Sequence, residues 1–190
     1  MRLLVVSPGG CLENPLLPGV EGVDAVLALG DFVCPTSVEA LEALRAPLLF
    51  VTGRLDDTHV VRLLEAHGLL LDGRVAEAGG VRFAGVGGRE PLANTRRLNG
   101  LDGFEVLASY HPVHGVFDSS PLGLRRGLWE LLPLLRDVHT HVAIYGSSCS
   151  EPGTRLEDGI LHICPGRLLE GCYAVVEVNR EGASALVRCR

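Results

Sequence analysis

The chain contains no lysine and no glutamine, and all seventeen of its basic residues are arginine. Together with a single methionine, this bias is typical of a GC-rich genome or of a hot habitat. We expect a thermophilic source, although lysine and glutamate enrichment is the commoner hyperthermophile signal. Aromatic residues are also few, at 5%, so the core must be aliphatic.

An excess of basic residues is absent as well. The formal net charge is −6, and no basic stripe is present that could release counterions from a phosphate backbone. This excludes a general nucleic-acid-binding surface. The Arg96-Arg97 and Arg125-Arg126 pairs are local, and we expect both to lie on a solvated surface.

Long apolar runs and a charged leader are both missing. No apolar run reaches the length that crosses a bilayer, and the chain opens directly with a strand pattern. We therefore expect a cytoplasmic protein without membrane association. The sequence leaves its oligomeric state open.

The sequence also lacks closely paired cysteines. None of the six cysteines forms a C-x-x-C motif, so a structural zinc knuckle is excluded. They are either buried small hydrophobes or, in a hyperthermophile, disulfide partners, and the sequence leaves both open. The six are Cys11, Cys34, Cys149, Cys164, Cys172 and Cys189.

Apolar runs that end in short polar loops dominate what is present. With 190 residues and 47% hydrophobic content, residues 1–190 are expected to form one domain. Continuous apolar runs predict buried parallel strands, whose carboxyl ends are where ligands bind. We therefore expect the loops that follow these strands to meet around Asp31. The runs are Leu3–Val6, Val26–Leu29, Leu48–Val51, Val106–Ala108 and Val142–Tyr145.

Helix and turn signals complete the pattern. Thr36 and Glu39 predict a capping box, and Asp57–His67 predicts a second helix ended by Gly68. Gly79-Gly80 predicts a hairpin. Further predictions are a long surface loop over Gly87–Gly103, a helix over Leu122–Asp137 containing Pro133, and strands over Ile160–Cys164, Cys172–Asn179 and Ala183–Cys189. Two sheets packed face to face with helices outside would accommodate all of them.

The order and spacing of these glycine loops resemble the calcineurin-like metallophosphoesterases over essentially the whole chain. The anchors that carry the resemblance are Gly30-Asp31, Gly53-x-x-Asp56, Gly85-Val86-Gly87-Gly88, Gly146 and Pro165-Gly166. The resemblance implies an α/β fold, a four-layer α/β/β/α sandwich of two mixed β-sheets.

The metal ligands of that family are mostly replaced. Ser7-Pro8-Gly9 stands for Asp-x-His, Arg54-Leu55 for Asn-His, and Ser147-Ser148-Cys149 for His-x-His. Tyr110 stands at a histidine ligand position, with His111 one residue away. Only Asp31 matches. The resemblance thus implies a vestigial site formed by Ser7, Gly9, Asp31, Arg54, Leu55, Tyr110, His111, Ser147 and Cys149.

These replacements bear on the chemistry. A two-metal centre that activates water needs about three or four ligands per ion, which serine and arginine cannot supply. We expect no cofactor. We interpret Arg54 as a cation that replaces metal charge and pairs with Asp31, so that Arg54→Asn should weaken folding. Alternatively, Asp31 caps its loop, or Asp31, His111 and Cys149 hold one divalent ion such as Mn or Zn.

Three functions remain. We favour a non-catalytic binding or scaffold module with a protein partner, for which Leu12–Val20 and Leu122–Leu124 are candidate apolar surfaces. The second is a residual metal-dependent phosphoesterase acting on phosphodiesters or phosphomonoesters. The third is a phosphate or nucleotide binder that does not hydrolyse, using Arg54, Ser147 and Ser148. A nucleophilic role for Cys149 is a further alternative.

Overall fold

The structure, a computed structural model, describes residues 1–11, 20–101, 103–120, 122–137, 140–146 and 149–190. Eleven strands are found in these ranges: β1 (Arg2–Val6), β2 (Ala25–Leu29), β3 (Leu48–Val51), β4 (Val75–Ala78), β5 (Val81–Val86), β6 (Val106–Ser109), β7 (Val142–Tyr145), β8 (Gly153–Glu157), β9 (Ile160–Cys164), β10 (Tyr173–Val178) and β11 (Ala183–Arg188). The α-helices there are α1 (Pro35–Glu42), α2 (Thr58–Ala66), α3 (Pro91–Leu98) and α4 (Leu131–Asp137).

The strands form two mixed sheets. One has the order β11-β10-β1-β2-β3, and the other has the order β4-β5-β6-β7-β9-β8. Strands β1, β2 and β3 run parallel in the first sheet, as do β5, β6, β7 and β9 in the second. Strands β10, β4 and β8 pair antiparallel with their neighbours. The predicted buried strands are therefore confirmed, but they are divided between two sheets.

Three apolar layers hold the sandwich together. The central layer lies between the sheets and includes Leu27, Phe83 and Ile144. Burial of these aliphatic faces is the main favourable term in folding. Outside it, α1 and α2 cover the first sheet, and α3 and α4 cover the second. The four-layer α/β/β/α arrangement is thus confirmed.

The helix predictions have mixed outcomes. Helix α2 begins at Thr58, capped by the Asp57 side chain, and Gly68 follows it with a φ of +68°. The predicted capping box at Thr36 and Glu39 is wrong, because α1 begins at Pro35 and its N-cap is Cys34. Proline at the first helical position needs no N–H partner, so the helix can begin before the predicted cap.

The predicted loop over Gly87–Gly103 is also wrong, since α3 lies within it. This helix contains few apolar residues, and its buried Asn94 and Thr95 form polar contacts. The Asn94 side chain accepts a hydrogen bond from the Gly87 N–H at 2.8 Å, and the Thr95 hydroxyl donates to the Pro91 carbonyl at 2.6 Å. Periodicity of apolar residues alone cannot reveal such a helix.

The predicted helix over Leu122–Asp137 is much shorter. Helix α4 begins only at Leu131, so Pro133 stands in the first turn, where a missing N–H is tolerated. Before it, Val113 bridges Leu128, and Ser119 bridges Arg125. Strand β8 was not predicted at all, because four of its five residues are exposed and polar residues interrupt any apolar run.

All six cysteines are paired in disulfides. The pairs are Cys11–Cys34, Cys149–Cys164 and Cys172–Cys189. The sequence had left pairing and burial open as alternatives. No helix in the described ranges is long and apolar enough to cross a membrane.

Candidate functional site

A pocket of about 440 Å³ opens where loops from both sheets meet. The loops after β1, β2, β3 and β6 contribute to it, as predicted from the carboxyl ends of the strands. The residues that line it are Gly9, Asp31, Arg54, Leu55, Tyr110, His111, Arg126 and Arg167. Six of the predicted site residues are therefore brought together in one pocket.

Asp31 lies at the base of this arrangement and is 6% exposed. It has a φ of +60°, a left-handed conformation that aspartate tolerates better than most residues. Its Oδ1 accepts hydrogen bonds from the backbone N–H groups of Arg54 at 3.1 Å and Leu55 at 3.0 Å. Its Oδ2 accepts a hydrogen bond of 2.9 Å from the Tyr110 hydroxyl. The carboxylate is thus stabilised by protein donors on both oxygens.

The predicted ion pair between Arg54 and Asp31 is not formed. Ion pairs among the described residues join His67 to Glu42, Arg125 to Asp118 and Arg167 to Glu170. The backbone of Arg54 contacts Asp31, whereas its side chain is exposed and lines the pocket. The physical reason is that the loop after β3 turns its N–H groups toward the carboxylate and leaves the guanidinium available to solvent or to a ligand.

Glycine makes this close approach of the two loops feasible. A Cβ atom at Gly30 would collide with the backbone of Gly53, and one at Gly53 would collide with Asp31. Gly30 also has a φ of +61°, which favours glycine. The Gly30-Asp31 and Gly53 anchors therefore serve to place backbone donors against one carboxylate.

The side chain of Asp56 connects the same two loops through hydrogen bonds. Its carboxylate accepts hydrogen bonds from the N–H of Phe32 at 2.6 Å and of Gly53 at 2.5 Å. The pKa of Asp56 is raised to about 6, chiefly by burial; the two N–H groups oppose the shift, and the neighbouring Asp31 carboxylate contributes to it. Asp56 is 5% exposed and does not line the pocket. It therefore acts as a structural clamp on the loop.

His111 is half-buried beside the pocket, with its ring edge-on to Tyr110 at 4.9 Å between centroids. Burial lowers the pKa of His111, and the Arg54 cation lowers it further, whereas a Gly88 backbone hydrogen bond and Asp31 oppose the shift. The imidazole is consequently neutral at pH 7. It can accept a hydrogen bond from a ligand or take up a proton when an anion arrives.

The remaining predicted site residues have structural roles or lie outside the described residues. The Ser7 hydroxyl is fully buried and donates to the Leu29 carbonyl at 2.9 Å, so it closes the end of β2. Cys149 is bound to Cys164, which removes the free thiolate that a nucleophile or metal ligand requires. Ser147 and Ser148 lie outside the residues that the structure describes.

Two pocket residues, Arg126 and Arg167, were missed from the sequence. Arg167 directly follows the Pro165-Gly166 anchor, and that position was an available signal. Arg126 belongs to the pair that we expected to be only solvated. Its neighbour Arg125 binds the buried Asp118 at 2.6 Å, and the Arg126 N–H donates to the Asp118 carbonyl at 2.9 Å, so both arginines are held to the same residue. Nothing in the local sequence indicates that outcome.

The described residues that line the pocket do not fit a two-metal centre. Asp31 already receives three protein hydrogen bonds, Cys149 is oxidised, and three arginines bring positive charge to the pocket. A guanidinium beside a divalent ion is repulsive. Among the described residues, no group of three or more His, Cys, Asp or Glu side chains could hold a metal ion.

The disulfides lie at the same edge as the pocket. Cys11 and Cys34 connect the loops after β1 and β2, and Cys164 is the last residue of β9. Cys172 precedes β10, whose start pairs with the end of β1. The three crosslinks therefore hold the loop ends of the strands, where the pocket is built.

Comparison with known proteins supports the fold. No family model matches the chain, and no curated protein sequence matches it. Protein TT1561 of Thermus thermophilus is similar in structure, with 16% identity, a TM-score of 0.66 and 97% of each chain covered. A novel archaeal phosphodiesterase is 16% identical, with a TM-score of 0.53 over 99% of this chain and 100% of that one.

A third similar structure is Vps29 of Entamoeba histolytica, which was crystallised in complex with Zn²⁺. It is 16% identical, with a TM-score of 0.53, and the match covers 100% of this chain and 97% of that one. At this identity the likeness concerns the fold and not the activity. The two mixed sheets, their helices and these full-length matches show that the chain has the calcineurin-like metallophosphoesterase fold.

Proposed function

We propose that this protein is a non-catalytic binding module whose degenerate metallophosphoesterase site binds an anion, with phosphate as the group that fits best. The observation that carries the proposal is the pocket lining, which contains Arg54, Arg126 and Arg167 together with a single carboxylate. That carboxylate, Asp31, is already hydrogen-bonded by the protein. Arg167 also forms an exposed ion pair with Glu170, at 3.4 Å, so the guanidinium groups of Arg54 and Arg126 give the pocket its surplus of positive charge.

Arginine suits this role because its planar guanidinium donates to phosphate oxygens in bidentate geometry and stays charged at any physiological pH. The neutral His111 adds a group that can be protonated as the anion binds. Gly9, with a φ of +67°, lies beside the Arg167 side chain at the pocket. Hydrolysis would need an activated water, and the described lining supplies no metal ligand set to activate one.

The protein partner that a scaffold requires stays a prediction. Leu122 and Leu124 are 86% and 65% exposed, so this part of the predicted apolar surface is accessible. Residues 12–19 of the other candidate surface, Leu12–Val20, lie outside the described residues. The described residues give more support for the anion pocket than for either apolar surface.

The first experiment is elemental analysis of protein purified without chelator and again after incubation with manganese or zinc and dialysis. We expect no stoichiometric metal and no hydrolysis of a phosphodiester such as bis-p-nitrophenyl phosphate. Near-stoichiometric metal together with phosphodiester hydrolysis would contradict the proposal and favour the residual phosphoesterase.

The second experiment measures the melting temperature with inorganic phosphate against chloride at equal ionic strength. Ligand at about 100 times its Kd stabilises the folded state by about 2.7 kcal/mol, so binding should raise Tm. Arg54→Asn and Arg167→Gln should each reduce this rise, whereas Arg62→Gln on the exposed face of α2 should leave it unchanged. A rise that all variants share would contradict a specific pocket.

Because the Arg54 side chain is exposed and forms no ion pair with Asp31, we no longer expect Arg54→Asn to weaken folding. Exposed substitutions of this kind usually change stability by no more than about 0.5 kcal/mol. The variant should therefore separate anion binding from folding.

A further inference from the structure

Among the strands that the structure describes, none pairs with the outer edge of β8 in the six-stranded sheet. It is the last strand in the sheet order, and Thr154, Arg155, Leu156 and Glu157 are all exposed. Leu156 is 72% exposed, although it stands in a strand opposite the partly buried Leu161. Edge strands are usually protected by charged side chains, proline or a bulge, because they can pair with another chain. Strand β8 contains no proline and no lysine, and its two charged residues, Arg155 and Glu157, are of opposite sign.

The backbone groups of Leu156 are directed to the open edge. Leu161, which is opposite Leu156 in the β8–β9 register, donates its N–H away from β8, to the His141 carbonyl at 2.9 Å. Leu156 and Leu161 therefore form a non-hydrogen-bonded pair of the antiparallel ladder. In such a pair the N–H and C=O groups of each residue point outward, so those of Leu156 can pair with an added strand.

We propose that β8 pairs antiparallel with β8 of a second copy of this chain, around a twofold axis at Leu156. The two Leu156 residues then exchange two backbone hydrogen bonds and bring their exposed side chains together. The sheets of the two copies join into one continuous sheet. This interface lies on a different edge from the anion pocket and is independent of it.

Charge complementarity supports a second copy as the occupant. Arg155 and Glu157 flank Leu156 and lie on the same face, because side chains alternate along a strand. In the proposed register Arg155 of each copy lies opposite Glu157 of the other, so two cross-strand ion pairs form. Both are non-hydrogen-bonded pairs, in which the side chains approach more closely. Arg155 is already oriented over the Phe117 ring, 5.1 Å from its centroid.

Other registers are less favourable. A twofold axis at Arg155 would place the two arginines opposite each other, and like charges in that position are destabilising. A shift of pairing by one residue would set Arg155 opposite Leu156 and turn every side chain to the wrong face. Strand β11 is an edge strand of the five-stranded sheet. Pairing of two copies there around Leu186 would place Ser184 opposite Arg188, without an acidic partner.

Sedimentation velocity and light scattering over a range of protein concentration test the interface. We expect a species of twice the chain mass of 20.2 kDa. Arg155→Glu and Glu157→Arg should each weaken dimerisation about tenfold or more, because each sets two pairs of like charges together. The double variant Arg155→Glu/Glu157→Arg should restore the dimer, since it exchanges the two charges of a reciprocal pair.

Leu156→Arg and Leu186→Arg form a matched pair, since both leucines are exposed on edge strands. Only Leu156→Arg should produce monomers, and circular dichroism should show that every variant is folded. A wild-type monomer at the highest concentration, a dimer that Arg155→Glu leaves intact, or a double variant that stays monomeric would each overturn the proposal. Loss of the dimer in Leu186→Arg alone would overturn it in favour of the β11 edge.

Discussion

The hydroxyl of Tyr110 donates a hydrogen bond of 2.9 Å to Oδ2 of Asp31. The two residues are 79 positions apart and belong to loops of different sheets. Tyr110 stands where the resemblance places a histidine ligand, and Asp31 is the ligand position that is retained. A phenol therefore donates to the carboxylate where a metal ligand would be expected.

Tyr110→Phe should lower the free energy of unfolding by about 1–3 kcal/mol, because it removes a donor from a nearly buried carboxylate. Urea denaturation followed by circular dichroism measures this change. The variant should also bind no manganese or zinc, since removing the phenol supplies no new ligand. Unchanged stability would mean that this hydrogen bond contributes little to the position of Asp31.

The pKa of His111 should rise when inorganic phosphate binds. Burial and the Arg54 cation lower that pKa in the free protein, and an added anion would favour the imidazolium. Arg54→Asn should also raise it, because it removes the second cause of the shift. NMR titration of the imidazole measures both effects, with the exposed His59 as the reference for unspecific effects of phosphate. A His111 pKa insensitive to phosphate would place the anion elsewhere.

Asp56 should make the protein less stable as the pH rises from about 4 to about 6. The carboxyl group has a pKa of about 6 when folded and an ordinary value of 3.8, so the folded state binds more protons in this window. Stability is then lost with rising pH, by about 3 kcal/mol for a shift of this size. Burial also raises the pKa of Asp72, which acts in the same direction.

Urea denaturation at several pH values tests this dependence, with Asp56→Asn as the comparison. The variant should be less stable at low pH, because its amide cannot accept both N–H bonds through one oxygen, but its pH slope should be smaller. A slope equal to that of the wild type would contradict the assignment to Asp56.

The disulfides yield a prediction about the purified protein. Denatured without reductant it should show no free thiol, and after reduction it should show six. Each crosslink closes a loop of sequence separation 23, 15 or 17. A disulfide that closes a loop of that length lowers the entropy of the unfolded chain, and this stabilises the folded protein by about 3 kcal/mol per crosslink. Reduction should therefore lower Tm, measured by scanning calorimetry.

Reduction should also weaken phosphate binding, because the crosslinks hold the edge that carries the pocket. Six free thiols in freshly purified protein would contradict the pairing. Disulfides are rare in a mesophilic cytosol and common in hyperthermophiles and oxidising compartments. A cytoplasmic location and a thermophilic source stay predictions.

Strands were more predictable here than helices. The runs at Leu3–Val6 and Val142–Tyr145 are buried on both faces and are recognisable from apolar residues alone. Helix α3 and strand β8 were missed for opposite reasons. The helix is held by buried Asn94 and Thr95, and four of the five residues of the strand are exposed. In both cases the pattern of hydrophobicity carries no signal.

The sequence by itself indicated two packed sheets with helices outside and the approach of the strand-end loops to Asp31, because apolar runs are local features. The spacing of its glycine loops carried the resemblance that implies the four-layer sandwich. The replacement of most metal ligands is what the resemblance implies, and it stays a prediction. Only the tertiary structure decided that Arg54 meets Asp31 through its backbone and that Arg126 and Arg167 reach the same pocket. The physical reason is that side-chain direction and long-range contact depend on packing between segments far apart in the chain, which no local pattern records.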